Sequence, residues 1–302
     1  MKVLITGATG LVGSKLVDAC LSKGYSVNYL TTSQSKLKKE GVLQGFYWNL
    51  KTKEIETEAF KDVDVIINLA GAPIAERWTR SYKQEIISSR KDTLDLLKTT
   101  ISENNINIKH LISASAIGIY PDSYSTYYSE DNKSTEDAFV IDVVRHWEAA
   151  ADQFEGLKIP VAKVRIRIVL SSKGGALPKL VKPIKNYLGS PIGNGKQWQS
   201  WIHIDDLVNL FLFVLDKQLE GVFNAVAPNP VMQSALTRSI AETLKKPLWL
   251  PNVPAFVLKL LLGEMSYIVL TGQRVSSEKI QDLGFEFKYH QVAQALNDLL
   301  GN

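Results

Sequence analysis

VLITGATGLVG, residues 3–13, begins as an apolar β-branched run, turns at a glycine and passes at once into a second apolar stretch. The run reads as a buried strand. The stretch after it, LVGSKLVDACLSKG (11–24), carries apolar residues at helical spacing and ends on Gly24, a helix-end signal. Between them Gly7, Gly10 and Gly13 stand in the spacing G-x-x-G-x-x-G. Strand, glycine turn and helix in this order suit a dinucleotide pyrophosphate. Gly7 permits the tight turn, Gly10 lets backbone N–H groups approach the phosphates, and Gly13 lets the helix pack on the strand. The helix N-terminus adds partial positive charge. A plain tight turn is the alternative, and the repeat of strand and helix downstream favours the ligand.

That repeat sets the fold class. SVNYLT (26–31), DVIINLAG (64–71), HLISASA (110–116) and VAKVRI (161–166) read as buried parallel strands, and 81–104 as a long amphipathic helix. Alternation of this kind predicts an α/β fold, a doubly wound parallel sheet of Rossmann type with right-handed crossovers. After residue 170 the pattern loosens into glycine-rich loops around a helix at about 176–188, a helix at 205–217 and a strand at 221–226. The last 75 or so residues hold prolines at 228, 230, 247, 251 and 254 and read as a small mixed α/β subdomain. The expected organisation is a dinucleotide-binding domain over 1–170, rejoined by 201–226. A substrate-binding subdomain would take 171–200 and 227–302.

Composition narrows the function classes. With 45% hydrophobic and 22% charged residues, the 302-residue chain is an ordinary globular protein with a sizeable core. Its net charge of +4 comes from dispersed lysines, and the short run KLKK (36–39) suits a solvated segment better than a nucleic-acid patch. The single Cys20 excludes an internal disulfide, and four scattered histidines offer no metal-ligand spacing. The apolar stretch 253–270 is interrupted by Lys259, Gly263 and Glu264, against a membrane span. MK runs straight into a strand without a secretory signal. The expectation is a cytoplasmic monomer or homodimer with a small-molecule substrate, and with no metal, nucleic-acid or membrane partner.

The end of the second strand selects the dinucleotide. An acid there would bind the ribose 2′-OH of NAD, whereas LTTSQSK (30–36) offers Thr31, Thr32, Ser33 and the cation Lys36. NADP is therefore favoured, with NAD as the alternative. The glycine turn, NLAG (68–71) and SASAIGIY (113–120) together resemble the extended short-chain dehydrogenase/reductase superfamily. AGAPIAERWT (70–79), SSRKDT (88–93), RHWEAAA (145–151), SPIGNGKQWQSWIHIDDLV (190–208) and LTGQRV (270–275) are similar, end to end, to its atypical NAD-dependent epimerase/dehydratase subgroup. The resemblance implies that Gly7, Thr9, Gly10, Leu11 and Val12 hold the pyrophosphate and that Thr31 and Thr32 lie at the ribose. It also implies that Leu69, Ala70 and Gly71 line the cofactor and that Glu85 and Arg90 reach it from the long helix. For Arg90, a surface ion pair with Glu85 or Asp92 is the rival reading.

The superfamily resemblance implies a tyrosine and a lysine four residues apart as acid–base dyad, after a serine that orients the substrate oxygen. Ser115 stands in the serine position, but DAFVIDVVRHWEAAA (137–151) holds Phe139 or Val140 and then Val143 or Val144 in the dyad slots. The segment reads instead as a helix packed by Phe139, Val143 and Trp147. Tyr120, expected near the cleft, and Ser115 are the catalytic candidates. His203 is a possible proton shuttle, with Asp205 expected to cap the following helix. Gln197, Trp198 and Trp201 are candidates for substrate contact, core packing being their rival reading. Gln273 and Arg274 are candidates for an anionic substrate. Arg167, where relatives carry a small residue, would change substrate preference if it faces the cleft. The expected activity is an NADP-binding epimerase-like oxidoreductase for a small polar substrate such as a nucleotide sugar. A non-catalytic NADP(H)-binding sensor or interaction protein is the alternative.

Overall fold

The central parallel strands of this sequence are buried along nearly their whole length because both faces of the sheet are covered. A computed structural model describes residues 1–301. Seven strands form the parallel body of its nine-stranded sheet: β1 Lys2–Thr6, β2 Ser26–Thr31, β3 Leu43–Asn49, β4 Val65–Asn68, β5 His110–Ala116, β6 Val161–Ile166 and β7 Gly221–Ala225. Their order is β7-β6-β5-β4-β1-β2-β3, with every pair parallel. Lys39–Glu40 and Glu54–Ile55 add short antiparallel pieces along β3. Chain direction across the sheet reverses between β1 and β4. The carboxyl ends of the strands part there, and such a crevice is where ligands bind in doubly wound sheets.

Helices α1 (Leu11–Ser22), α2 (Arg80–Glu103), α3 (Phe139–Asp152) and α5 (Ile204–Lys217) make the two outer layers, α1 beside α5 and α2 beside α3. The strand at Gly221–Ala225 does return to the sheet edge, in parallel register with β6. Helices α4 (Leu177–Lys185), α6 (Gln233–Thr243) and α10 (Val292–Leu300) build a second core around Trp201. Three shorter helices, α7 (Ala255–Leu262), α8 (Ser266–Leu270) and α9 (Glu278–Asp282), complete the chain. The late segments pair with earlier loops in separate two-residue ladders, such as Arg274–Val275 with Tyr127–Tyr128 after β5. The Asp206 carboxylate accepts the N–H groups of Lys288 (2.9 Å) and Tyr289 (3.0 Å), fixing the C-terminal stretch to the start of α5. Among the described residues, no helix is long and apolar enough to cross a membrane.

Candidate functional site

The glycine turn is built as its spacing requires. Gly7 has φ +68°, and a Cβ there would sit 2.8 Å from the Leu69 carbonyl carbon. A Cβ on Gly13 would fall 2.1 Å from the Gly7 oxygen, so only glycine lets α1 lie this close to the turn. Gly10 occupies the N-cap of α1 with no side-chain cap, and no acid stands in the first turn. Thr9 and Gly10 are exposed and Leu11 and Val12 half-buried, which leaves the helix end free for an anion. Across the crevice, the Thr6 hydroxyl donates to Asn68 Oδ1 (2.6 Å) and accepts the N–H groups of Leu69 and Ala70, both 3.2 Å away. Asn68 Nδ2 donates in turn to Ser113 Oγ at 3.2 Å. Thr6, Asn68 and Ser113 share one rung of β1, β4 and β5. This polar rung holds Leu69, Ala70 and Gly71 against the glycine turn.

At the end of β2, Thr31 is buried and its hydroxyl accepts the Ser33 N–H at 3.2 Å. Thr32 and Lys36 are exposed. The Tyr29 hydroxyl fixes their loop, donating to the Lys36 carbonyl and accepting the Lys38 N–H, each at 2.7 Å. Lys36 forms no ion pair among the described residues, so its ammonium is free for a ligand. Arg90 differs from its surface ion-pair reading. It is buried, stacks over Trp147 at 4.9 Å and donates to the carbonyls of Ile86 (2.9 Å) and Ala72 (3.1 Å). Burial lowers its pKa to about 10, and no carboxylate pairs with it. Arg90 braces the backbone just past Gly71, while Glu85 is exposed on the helix surface.

The candidate catalytic hydroxyls belong to a buried polar network. Ser115 Oγ donates to Glu148 Oε1 of α3 (2.6 Å), and Arg165 grips the same carboxylate through Nε (2.7 Å) and Nη2 (2.8 Å). Arg165 Nη1 donates to the Tyr120 hydroxyl (2.8 Å), which donates to Asn224 Oδ1 (2.9 Å). Asn224 Nδ2 closes the network on the Ser276 carbonyl at 3.1 Å. Burial works to raise the Glu148 pKa, but the Arg165 hydrogen bonds and charge, with the Ser115 hydroxyl, hold it below the usual glutamate value. Tyr120 is corrected here. It is stacked on Tyr128 with its hydroxyl engaged by both Arg165 and Asn224, and burial pushes its phenol pKa up, so its proton is committed to the network; Ser115, 2% exposed, is buried with it. Ser115 keeps its strand-end place, but its proton is committed to Glu148. The segment 137–151 is the packing helix expected, with Val143 and Trp147 buried and Phe139 set edge-on against Trp78 at 4.9 Å.

Phe139 also lines a cavity of about 790 Å³, with Trp78, Tyr124, Gln197, Tyr267 and Thr271 among the other walls. Of the substrate candidates only Gln197 lines it, and its amide donates to the carbonyls of Ile192 (3.0 Å) and Val269 (3.1 Å). The others need correction. Trp201 is fully buried in the second core, its indole bonded to the Asn229 carbonyl at 3.0 Å. The Trp198 indole donates to the Tyr124 carbonyl (2.8 Å), and Arg274 stacks between the Trp198 and Tyr127 rings. Gln273 is buried, donating to the Tyr120 carbonyl at 3.2 Å. His203 is a structural residue. Its Nδ1 accepts the Asp205 N–H at 3.1 Å, so His203, not Asp205, caps α5. Burial lowers the His203 pKa, keeping the ring neutral for that role, and Asp205 pairs with Lys15 of α1. Arg167 is half-buried against the carbonyls of Ile268 and Thr271. Glu148, Arg165 and Asn224 were not anticipated, because their partners lie far off in sequence. No group of metal-ligating residues occurs among the described residues.

The chain as a whole is similar to known proteins. A Staphylococcus aureus epimerase family protein is 38% identical over 300 residues, covering 98% of each chain. The Arabidopsis thaliana epimerase family protein SDR39U1 homolog, chloroplastic, is 37% identical over 306 residues, covering 99% of this chain and 87% of its own. Human epimerase family protein SDR39U1, solved with NADPH, superposes with a TM-score of 0.87 at 26% identity, and all of both chains is covered. Residues 253–299 match a family model described only as a domain of unknown function. Residues 3–225 match the model of the NAD dependent epimerase/dehydratase family, and the chain belongs to that family.

Proposed function

We propose that this chain is a cytoplasmic NADPH-binding oxidoreductase acting on a small polar substrate. The observation that carries the reading is the cradle of Gly7 and Gly13, which a Cβ would fill, below an α1 N-terminus with no side-chain cap. The human relative solved with NADPH supports the same cofactor. When bound, the nicotinamide supplies or accepts hydride. The chain's own residues would bind and orient. Backbone N–H groups of Thr9, Leu11 and Val12 would hold the pyrophosphate, the Gly10 N–H being donated to the Gly7 carbonyl at 3.0 Å, and Thr32, Ser33 and the unpaired Lys36 would take the adenosine ribose and its 2′-phosphate. Arg90 braces the loop after Gly71. Ser115, whose proton is held by Glu148, offers lone pairs and so accepts a hydrogen bond from a substrate hydroxyl.

Fluorescence titration tests the cofactor choice. NADPH should bind more tightly than NADH, and Lys36→Ala should weaken NADPH by about tenfold while leaving NADH unchanged, as loss of one charge-assisted bond predicts. A preference for NADH, or an inert Lys36, would sink it. A second reading, a non-catalytic NADP(H) sensor, is favoured by the apolar Phe139, Val143 and Val144 and by the engaged Tyr120. The large cavity weighs against it, since a sensor needs no substrate space. One carbonyl compound that oxidises bound NADPH would refute the sensor.

A further inference from the structure

Two guanidinium groups leave the end of β6 and meet opposite surroundings. Arg165 is neutralised by the paired oxygens of Glu148. Arg167, two residues on, has only the carbonyls of Ile268 and Thr271, both 3.3 Å from Nη2. Its Nε and Nη1 have no hydrogen-bond partner, and no carboxylate lies within ion-pair distance, among the described residues. Desolvation lowers its pKa to about 10, which still leaves it charged at neutral pH. The Asp122 carboxylate acts on it only from beyond ion-pair distance; a cation partly withdrawn from water without a contacting counter-charge is unfavourable, and gains from a ligand that supplies one.

The position says which ligand. Arg165 shares a rung with Ser115, and Ile166 shares the next with Ala116, so Arg167 leaves the sheet beside the end of β5. The carbonyls it holds belong to the segment 267–271, of which Tyr267, Leu270 and Thr271 line the cavity. The guanidinium thus stands between the Ser115 rung and the cavity wall. That wall is aromatic, from Trp78, Tyr124, Phe139 and Tyr267. The wall's own cation is Lys259, and its acids are Asp137 and Glu264, the latter paired with Lys83.

We infer that Arg167 is the anion-binding group of the substrate site, and that the substrate carries a single carboxylate or phosphate monoester on an apolar or aromatic body. The inference rests on the cleft being the substrate site of the proposed enzyme.

Ligand-observed NMR titrations of the full chain with benzoate, phenyl phosphate and benzamide test it, each run with and without NADPH. At least one anion should bind tenfold or more tightly than benzamide. Arg167→Gln, which can still donate to the Ile268 and Thr271 carbonyls, should remove that preference, and Arg167→Lys should retain part of it. A residue that only caps α8 would lower the melting temperature when replaced and leave the preference alone. Equal binding of anions and benzamide, no detectable anion binding, or an unchanged preference in Arg167→Gln overturns the assignment. The wild-type comparison decides even if a variant does not fold. Failure to bind NADPH would refute the cofactor reading separately, because the probe titrations without NADPH still judge Arg167.

Discussion

Glu148→Leu tests the network that holds Ser115. The carboxylate receives three hydrogen bonds of 2.6–2.8 Å, two from Arg165 and one from Ser115. The side chains of Arg165 and Glu148 are only 9% and 11% exposed. Removing the carboxylate leaves the Arg165 charge in the core, and breaking a buried pair from one side costs about 3–5 kcal/mol. Stranding the Ser115 hydroxyl adds about 1 kcal/mol. At roughly 2 °C per kcal/mol for a chain of this size, the melting temperature should fall by about 10 °C. Urea denaturation followed by circular dichroism measures the free energy directly. Arg165→Met added to Glu148→Leu should recover a large part of the loss, because the second change removes the uncompensated charge. The pH dependence has a definite sign. Glu148 is held below its ordinary value of 4.5, so its contribution is fully present above that pH and is lost as pH falls through its folded-state pKa. The gap between wild type and Glu148→Leu should therefore narrow below about pH 4.5. A loss under about 1 kcal/mol, or a double variant no more stable than Glu148→Leu, would refute the coupled pair.

Two further substitutions bear on the other parts of the site. Gly13→Ala places a methyl 2.1 Å from the Gly7 oxygen and 2.8 Å from Ala8 Cα. It should destabilise the fold by about 1–3 kcal/mol and weaken NADPH more than tenfold; wild-type melting and titration curves would show that the close approach is not needed. Tyr120→Phe strands Asn224 Oδ1 and Arg165 Nη1, and should cost about 1–3 kcal/mol in urea denaturation. Unchanged stability would return Tyr120 to the cleft as a catalytic candidate.

The parallel body of the sheet and the glycine turn were legible because their signals are local. SVNYLT, HLISASA and VAKVRI match β2, β5 and β6 to the residue, since buried parallel strands are rich in apolar and β-branched residues even where Asn28, Ser113 or Arg165 interrupts the run. The turn needs three glycines within seven residues and shows all three. The short pieces Lys39–Glu40 and Glu54–Ile55 gave no such signal, being two residues long. Side-chain commitments were less legible. Trp198 and Trp201 share one loop motif and similar chemistry, yet one indole finds the Tyr124 carbonyl and the other the Asn229 carbonyl. His203 carries the titratable ring expected of a shuttle, but its neighbour two residues on supplies the N–H that makes it a cap.

The helix in the place of the dyad shows how far periodicity reaches. Phe139, Val143 and Trp147 recur every four residues, and that spacing alone predicts a buried stripe, as found for Val143 and Trp147. Glu148 follows Trp147 and reads in sequence like any solvated glutamate on a helix. Its burial becomes intelligible only with Arg165 across the layer on β6 and Ser115 on β5, 17 and 33 residues away. A carboxylate held below its usual pKa by a bidentate arginine is a weak base, so Glu148 does not replace the missing tyrosine as a proton acceptor. It orients Ser115 instead, fixing that hydroxyl as an acceptor. With Ser115 held this way and Tyr120 committed to the core, the phenols left on the cavity wall are Tyr124 and Tyr267, and the Tyr267 hydroxyl donates to Glu136 at 3.2 Å. The Tyr124 hydroxyl accepts from Asn194 Nδ2 at 2.9 Å and so keeps its own proton for a ligand, whereas Phe139 has none to give and its part in the wall is packing.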